Sequence, residues 1–501
     1  MKLTIEDGLS ICVGDHDDIV IGICRPIGTD TSAILERIEE RLRIARYNIY
    51  RIRLSDLIYN VSEYTPFRGV FRKNKRINES ISLDERLGYM RCGDFLRATV
   101  STDIVARLAI RTIAHKRYQI HCATQKQGLT GTCYIIRNIM HHAEVSILRS
   151  VYGHRFFLIA ANESLESRKK RLSAEMAKLP SFDSDEVSAA VAMLMSVDKG
   201  ARPSAESYSR GALSIDKTFH QADLFVRVDA PKWEEQIDRF LNQIFGDPFG
   251  TLTADERGMG IATLVSSSSG AFGRRVGAAI VTKSGFLAGI GWNDAAAPGG
   301  GLYHEASKVN RNDKALKVDV SDKYRIESAQ EFLDVLLNPD CWEDQVKKWE
   351  DDPSFSDDIR REQHTWLTEF AKNIKSLNSN NGIARVLPRL DAFRNTRIYN
   401  LIEFGRSVHA EMAAITQAAM AGISTKGSTL YVTTFPCHEC VRNIIAAGVD
   451  RVLYIEPYGK SMAPLLYVDE LMESSRSTTD DYVAFDSYVG ISVNQDRKSV
   501  V

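Results

Sequence analysis

The chain has 501 residues, a formal net charge of -1 and 44% hydrophobic residues. That length accommodates two or three domains with a core of good size, and the near-neutral charge excludes a global positive field drawing the protein to nucleic acid or anionic lipid. The opening MKLTIEDGLS lacks the apolar run of a secretory signal, and no stretch approaches the roughly 18 apolar residues of a membrane span, so a cytoplasmic protein without membrane segments is expected.

In chain order, residues 19–24 are apolar enough for a buried strand. A Pro/Gly turn follows, and Ile34, Leu35, Ile38 and Leu42 then repeat at helical spacing. Strand, glycine turn and helix make the layout of a phosphate-binding loop. TCYIIR and RFFLIAAN read as further strands, each followed by a helical pattern in HHAEVSILRSVYG and ESLESRKKRL. This alternation predicts a P-loop NTPase-like parallel α/β/α domain over residues 1–230. Aligned on its serine with the pattern G-x-x-x-x-G-K-[ST], the loop RPIGTDTS is degenerate. Arg25 and Asp30 occupy the glycine positions and Thr31 the lysine, leaving Gly28 as the flexible point and Ser32 as the match. A nucleotide held there at Gly28 and Ser32, and a purely structural role, both remain open. The basic run 168–171 is expected on a solvated helix face rather than in a phosphate-binding lid.

The stretch 196–212 is rich in Ser, Gly and Pro and reads as a loop, and the chain is expected to cross between domains over 219–250. The second domain is placed at 231–501. Thr253 should cap a helix with acidic residues in its first turn, and 274–294 should form two strands joined by a KSG turn. Residues 299–405, charged and containing Trp342, Trp349 and Trp366, read as a mostly helical insertion. Helix, strand, helix and strand then follow to about residue 458, and the last residues, VGISVNQDRKSVV, are polar and expected to fray.

Six of the eight cysteines, Cys12, Cys24, Cys92, Cys122, Cys133 and Cys341, are scattered and read as small buried side chains. Cys437 and Cys440 are different: they open a helix three positions apart, and His409 opens the helix before it. One imidazole and two thiolates suit Zn²⁺, with a fourth position left for water. Each half has another reading, since C-x-x-C also occurs in structural zinc half-sites and redox pairs. Glu411 lies two residues after His409, where a carboxylate can take a proton from water and hand it to a leaving group. The combination H-x-E … P-C-x-x-C is the signature of zinc nucleobase deaminases.

On HAEMAAI, LYVTTFPCHEC, RRVGAAIV and GIGWND, the chain resembles the deoxycytidylate deaminase branch of the cytidine deaminases. With IRNIMHHAEVSILRSVYGHRFFLI and IIAAGVDRVLYIEPYGKS, it is similar over most of residues 15–490 to bacterial anti-phage dCTP deaminases, which join a P-loop-kinase-like domain to a zinc deaminase. The resemblance implies a cytidine-deaminase-like α/β/α second domain and hydrolysis of dCTP, and often dCMP, to the deoxyuridine nucleotide, starving phage replication of dCTP. It implies His409, Cys437 and Cys440 as zinc ligands, Glu411 as the catalytic carboxylate and Asn293 as a nucleotide contact, although Asn293 also reads as a turn residue after a strand. Arg275, Lys460 and Tyr458 are candidates to meet the phosphates. A homo-oligomer, such as a hexamer, and inhibition by a small RNA are implied by analogy alone. Two rivals stay open: a nucleic-acid cytosine or adenine base deaminase, which would need a basic groove with stacking aromatics, and a nucleotide-sensing regulatory protein.

Overall fold

Every side chain of Ile19–Cys24 (β1) is buried, as required of a strand covered on both faces. The computed structural model describes residues 18–68, 83–123, 131–178, 184–198, 215–247, 250–307, 309–336, 405–456, 461–472 and 482–492. After β1 come α1 (Ser32–Ile44), β2 (Asn48–Arg53), α2 (Leu54–Ser62), α3 (Leu83–Thr99), α4 (Ile104–Ala123), β3 (Thr132–Arg137) and α5 (His142–Tyr152). They are followed by β4 (Phe156–Asn162), α6 (Leu165–Met176), α7 (Ser184–Asp198), α8 (Ile215–Phe219), β5 (Leu224–Arg227) and α9 (Trp233–Ile244). The parallel strands lie in the order β5-β4-β1-β3-β2. On one face Ile19, Ile21 and Ile23 pack with Ile34, Leu35 and Ile38 of α1 and with Ile237, Phe240 and Leu241 of α9. On the other face Val20, Tyr134, Phe156 and Leu158 pack against residues of α2, α4 and α5.

The remaining elements are α10 (Ala254–Ser266), β6 (Gly277–Val281), β7 (Leu287–Trp292), β8 (Asp294–Ala295), α11 (Asp313–Leu316), α12 (Val320–Leu336), β9 (Ser407–Val408) and α13 (Ala410–Met420). Then come β10 (Thr429–Val432), α14 (His438–Ala446), β11 (Arg451–Tyr454), α15 (Ala463–Leu466), β12 (Leu471–Met472), β13 (Val483–Ser487) and β14 (Gly490–Ile491). A second sheet runs β12-β13-β11-β10-β6-β7, with β12, β13, β11 and β10 parallel, β6 antiparallel to β10 and β7 antiparallel to β6. Thr253 caps α10 in a reciprocal capping box with Glu256, as its sequence indicates.

The chain divides into two compact units, and both six-stranded sheets belong to the first, which comprises Met1–Ser268, Val276–Trp292 and His409–Val501. The tail expected to fray is instead structural where it begins. Gly490 and Ile491 add β14 antiparallel to β5, and the Ile491 N–H donates to the buried Glu256 carboxylate at 2.7 Å. Tyr488 packs edge-on against Phe225 with ring centroids 5.4 Å apart, so the two sheets share one core. Beyond Ser492 the tail lies outside the described residues.

The second unit, Ser269–Arg275 with Asn293–Val408, holds the described part of the insertion. Here α11 and α12 are helical, but β8 and β9 pair antiparallel, and the buried Asp294 carboxylate accepts from Gly270 N at 2.9 Å and Asn312 Nδ2 at 3.2 Å. Trp342, Trp349 and Trp366, and most of the 196–212 loop, fall outside the described residues. Among the described residues no helix is long and apolar enough to cross a membrane.

Helix α13 lies against β7 with almost no space between them. A Cβ on Gly291 would sit 2.1 Å from the Ala410 carbonyl oxygen, and one on Gly289 would sit 2.3 Å from that of Ala414. Backbone cannot yield as a flexible side chain does, so Gly291→Ala should cost about 1–3 kcal/mol. Urea unfolding of the variant against the parent chain checks this, and because Ala410 follows His409, bound zinc should fall with stability.

Candidate metal centre

His409 and Cys437 are both N-cap residues, of α13 and α14. Each helix therefore starts at a candidate metal ligand, and the Cys440 N–H, in the first turn of α14, donates to Cys437 Sγ at 3.5 Å. The Cys437 and Cys440 sulfurs lie 3.2 and 3.3 Å from His409 Nδ1, and all three ligand atoms fall within 4.8 Å of one another. The loop entering α14 is braced by the buried Glu456, whose carboxylate accepts from Phe435 N at 3.3 Å. Thr433 Oγ1 accepts from Gly277 N at 3.1 Å, tying the same loop to β6.

The three side chains are coupled through hydrogen bonds. A hydrogen bond from Cys440 holds the Cys437 thiol down at about 4 against the cost of burial, and His409 adds to the effect. That bond and burial push the Cys440 thiol up in turn. Hydrogen bonding to Cys437 raises the His409 imidazole. One imidazole nitrogen and two sulfurs at this spacing form a donor set that fits Zn²⁺ with one position left open. Glu411, in the first turn of α13, is only 3% exposed, and burial raises its carboxyl above the usual range. It lies beside the ligand set rather than within it.

Cys437→Ala and His409→Ala should each lose nearly all bound zinc, because two remaining ligands do not complete a tetrahedral site. Metal content per chain by mass spectrometry reads this directly, and near-stoichiometric zinc in either variant would overturn the assignment of these ligands.

Asn293 and Arg275 belong to the second unit, where Asn293 Nδ2 donates to the Arg274 carbonyl at 2.9 Å. Tyr458 and Lys460 lie outside the described residues. Gly28 does occupy the turn between β1 and α1, at φ 86°, where a Cβ would meet the Arg168 carbonyl oxygen at 3.0 Å. The protein's own carboxylates, however, already occupy the amides of this loop. Ile27 N–H donates to Asp198 at 2.9 Å, Asp30 N–H to Glu163 at 3.2 Å, and Ser32 N–H to Asp30 at 2.9 Å. Carboxylate oxygens thus stand where phosphate oxygens would accept.

The basic run 168–171 is not a solvated face either. Arg168 is buried and its Nε donates to the Glu163 carbonyl, while Arg171 pairs with the Glu163 carboxylate and donates to the Gly28 carbonyl at 2.6 Å. Only Lys169 and Lys170 face solvent. Two features of the metal centre went unread in the sequence. The Gly289–Gly291 spacing was a legible sign of a closely packed helix, whereas Glu456 carried no local pattern.

Residues 252–456 match the family model described as the cytidine and deoxycytidylate deaminase zinc-binding region. The chain is 36% identical over 96 residues to ComE operon protein 2 of Bacillus subtilis, covering 19% of this chain and 48% of that protein. It is 43% identical over 54 residues to the deoxycytidylate deaminase of enterobacteria phage T2, covering 11% of this chain and 29% of that protein. With a probable deoxycytidylate deaminase of Drosophila melanogaster the identity is 48% over 48 residues, covering 10% and 23% of the two chains. The chain thus spans about half, or less, of the length of the curated relatives it matches. The crystal structure of a dCMP deaminase from the cyanophage S-TIM5 in complex with dCMP and dUMP overlaps 46% of this chain and 93% of its own. Its identity is 16% and its TM-score 0.22, too low a global agreement to carry an argument. The metal centre and the family match coincide: His409, Cys437 and Cys440 all lie within the residues 252–456 that are similar to the cytidine and deoxycytidylate deaminase zinc-binding region.

Proposed function

We propose that this protein hydrolytically deaminates free deoxycytidine nucleotides, dCTP and dCMP, to deoxyuridine nucleotides and ammonia, and that loss of dCTP is its contribution to defence against phage. The observation that carries the reaction class is a buried Glu411 in the first turn of the helix that begins at His409, beside two cysteine sulfurs. Zinc held by His409, Cys437 and Cys440 supplies activation of water for attack on C4 of the cytosine ring. Glu411 takes one proton from the attacking water and gives it to ring N3 as the C4=N3 double bond opens, then passes the remaining hydroxyl proton to the amine, so that the C4–N bond breaks as C4=O forms and ammonia leaves. Burial suits that carboxyl to the first part of the task, because a raised affinity for the proton makes it a stronger base toward water than an exposed carboxylate. In this reading Asn293 contacts the nucleotide, and Arg275, Lys460 and Tyr458 meet its phosphates.

The test is to incubate the purified, zinc-loaded protein with dCTP, dCMP, CTP and single-stranded DNA and to resolve the products by chromatography. The proposal expects dUTP and dUMP from the free deoxynucleotides. Deamination of the DNA alone would replace it with a nucleic-acid base deaminase, and bound zinc with no product from any substrate would point to a nucleotide sensor.

A further inference from the structure

Arg53 and Arg137 stand directly opposite one another at the carboxyl ends of β2 and β3, and Arg137 is in register with Ile23 of β1. Neighbouring strands lie about 4.8 Å apart, and paired residues project from the same face. This is the face that carries α1. Arg25 follows β1 at the same rim, its Nε donating to Asn138 Oδ1 at 3.2 Å, and Asn138 itself turns the chain at φ 69°. Three half-buried arginines from the ends of three adjacent strands thus share one stretch of this rim, and Arg25 also donates from Nη1 to the Thr29 carbonyl. Among the described residues none of the three forms an ion pair, whereas Arg51, one pleat back, is paired with Glu39.

Their mutual repulsion is visible in their proton affinities. Burial and then Arg137 lower Arg25 to about 10, and burial followed by Arg53 and Arg51 lowers Arg137. Asp30 and Asp56 attract Arg137, and Asp198 and Asp30 attract Arg25, all from beyond ion-pair distance. Like charges gathered out of water without counterions are costly. The carboxyl ends of parallel strands are also where open α/β sheets bind their ligands. The neighbouring loop cannot supply the usual cradle, because the Ile27, Asp30 and Ser32 amides are held by carboxylates.

We propose that Arg25, Arg53 and Arg137 form a binding site for the phosphoryl group of a small phosphorylated ligand, in the N-terminal sheet and separate from the His409–Cys437–Cys440 centre. The anion replaces the missing counterions, and the guanidinium forks grip its oxygens as charged donors. The site uses side chains in place of loop amides, which explains how a parallel sheet with a self-occupied loop can still hold a phosphate. It stands whether or not the protein is a deaminase.

The experiment is calorimetric titration of the full-length, zinc-loaded protein with pyrophosphate, with ATP and with adenosine, at low salt, where such contacts are least screened. Binding of pyrophosphate and ATP, but not adenosine, is expected. Binding by ATP alone would identify the ligand as a nucleotide, with its base or sugar adding contacts, and binding by both would identify the phosphoryl group as sufficient. Arg53→Gln and Arg137→Gln should each weaken binding about tenfold or more, while Lys169→Gln, on an exposed neighbouring helix, should not. Without ligand, neither arginine variant should lower the thermal midpoint, because each removes repulsion. A fall in that midpoint for both variants would show the arginines to be structural and overturn the proposal. So would the absence of binding by either phosphate compound, or binding unchanged in both variants. Because the readout is binding and not turnover, failure here leaves the deaminase proposal intact, and failure of deamination leaves this one intact.

Discussion

Glu411→Gln should lower the rate of deamination at least about a hundredfold while the protein keeps its zinc, the loss expected when a general acid/base is removed. The amide has nearly the volume of the carboxyl, so the first turn of α13 and the placement of His409 should survive. It cannot accept and return a proton. The loss should appear in kcat, since proton transfer belongs to the chemical step rather than to nucleotide binding. Steady-state kinetics with dCTP and dCMP, alongside metal analysis of the same preparation, separates this from a folding defect. A variant with full zinc and parental kcat would sink the proposed role. A variant that has lost zinc would show that the carboxyl supports the metal centre, and the mechanism would have to be reassigned.

The second large effect concerns stability and lies far from the metal. Glu144, fully buried at the start of α5, accepts from Arg97 Nε at 2.9 Å and Nη2 at 2.7 Å. Its other oxygen accepts from Met140 N at 3.1 Å and His141 N at 3.3 Å, completing a capping box for α5. The buried Arg97 has one further described carboxylate, Asp94, at 3.5 Å. Glu144→Ala therefore strips an enclosed guanidinium of its main counterion and leaves two amides without acceptors. The expected cost is about 3–5 kcal/mol, the usual range for breaking a buried pair by deleting one partner.

The double replacement Arg97→Met with Glu144→Met should cost less than Glu144→Ala, because no buried guanidinium is then left facing a missing carboxylate, and what remains is the lost acceptor of two amides and the weaker Asp94 contact. Urea unfolding, with hydrogen exchange at the α5 amides as the local readout, tests both. A single variant no less stable than the parent would show that water reaches the pair and screens it.

The metal centre was largely legible in the sequence because its parts are local. H-x-E sets His409 and Glu411 in one helical turn, and C-x-x-C sets the Cys437 and Cys440 sulfurs on one side of the next helix start. What brings the two together is not local. It rests on Gly289 and Gly291, which let α13 approach β7, and on Glu456, which holds the loop before α14 from the next strand. The N-terminal sheet shows the same division. The largely apolar runs of β1, β3 and β4 mark buried parallel strands, yet nothing near Arg168 or Arg171 in sequence indicates that they turn inward to Glu163 and Gly28.

The sequence by itself indicated β1, β3 and β4 with the helices that follow them, the capped start of α10 and the candidate metal-binding side chains, because helical and strand periodicity, capping and ligand spacing all act over a few residues. Only the tertiary structure decided which distant groups meet. Two residues of an apparently polar tail became β14 because β5 presented an open edge and Glu256 a buried acceptor. Arg25, Arg53 and Arg137 converged because strand order and register, not chain separation, set which side chains are neighbours at the rim of a sheet. Both outcomes depend on pairings between segments far apart in the chain, and such pairings leave no periodic trace in either segment alone.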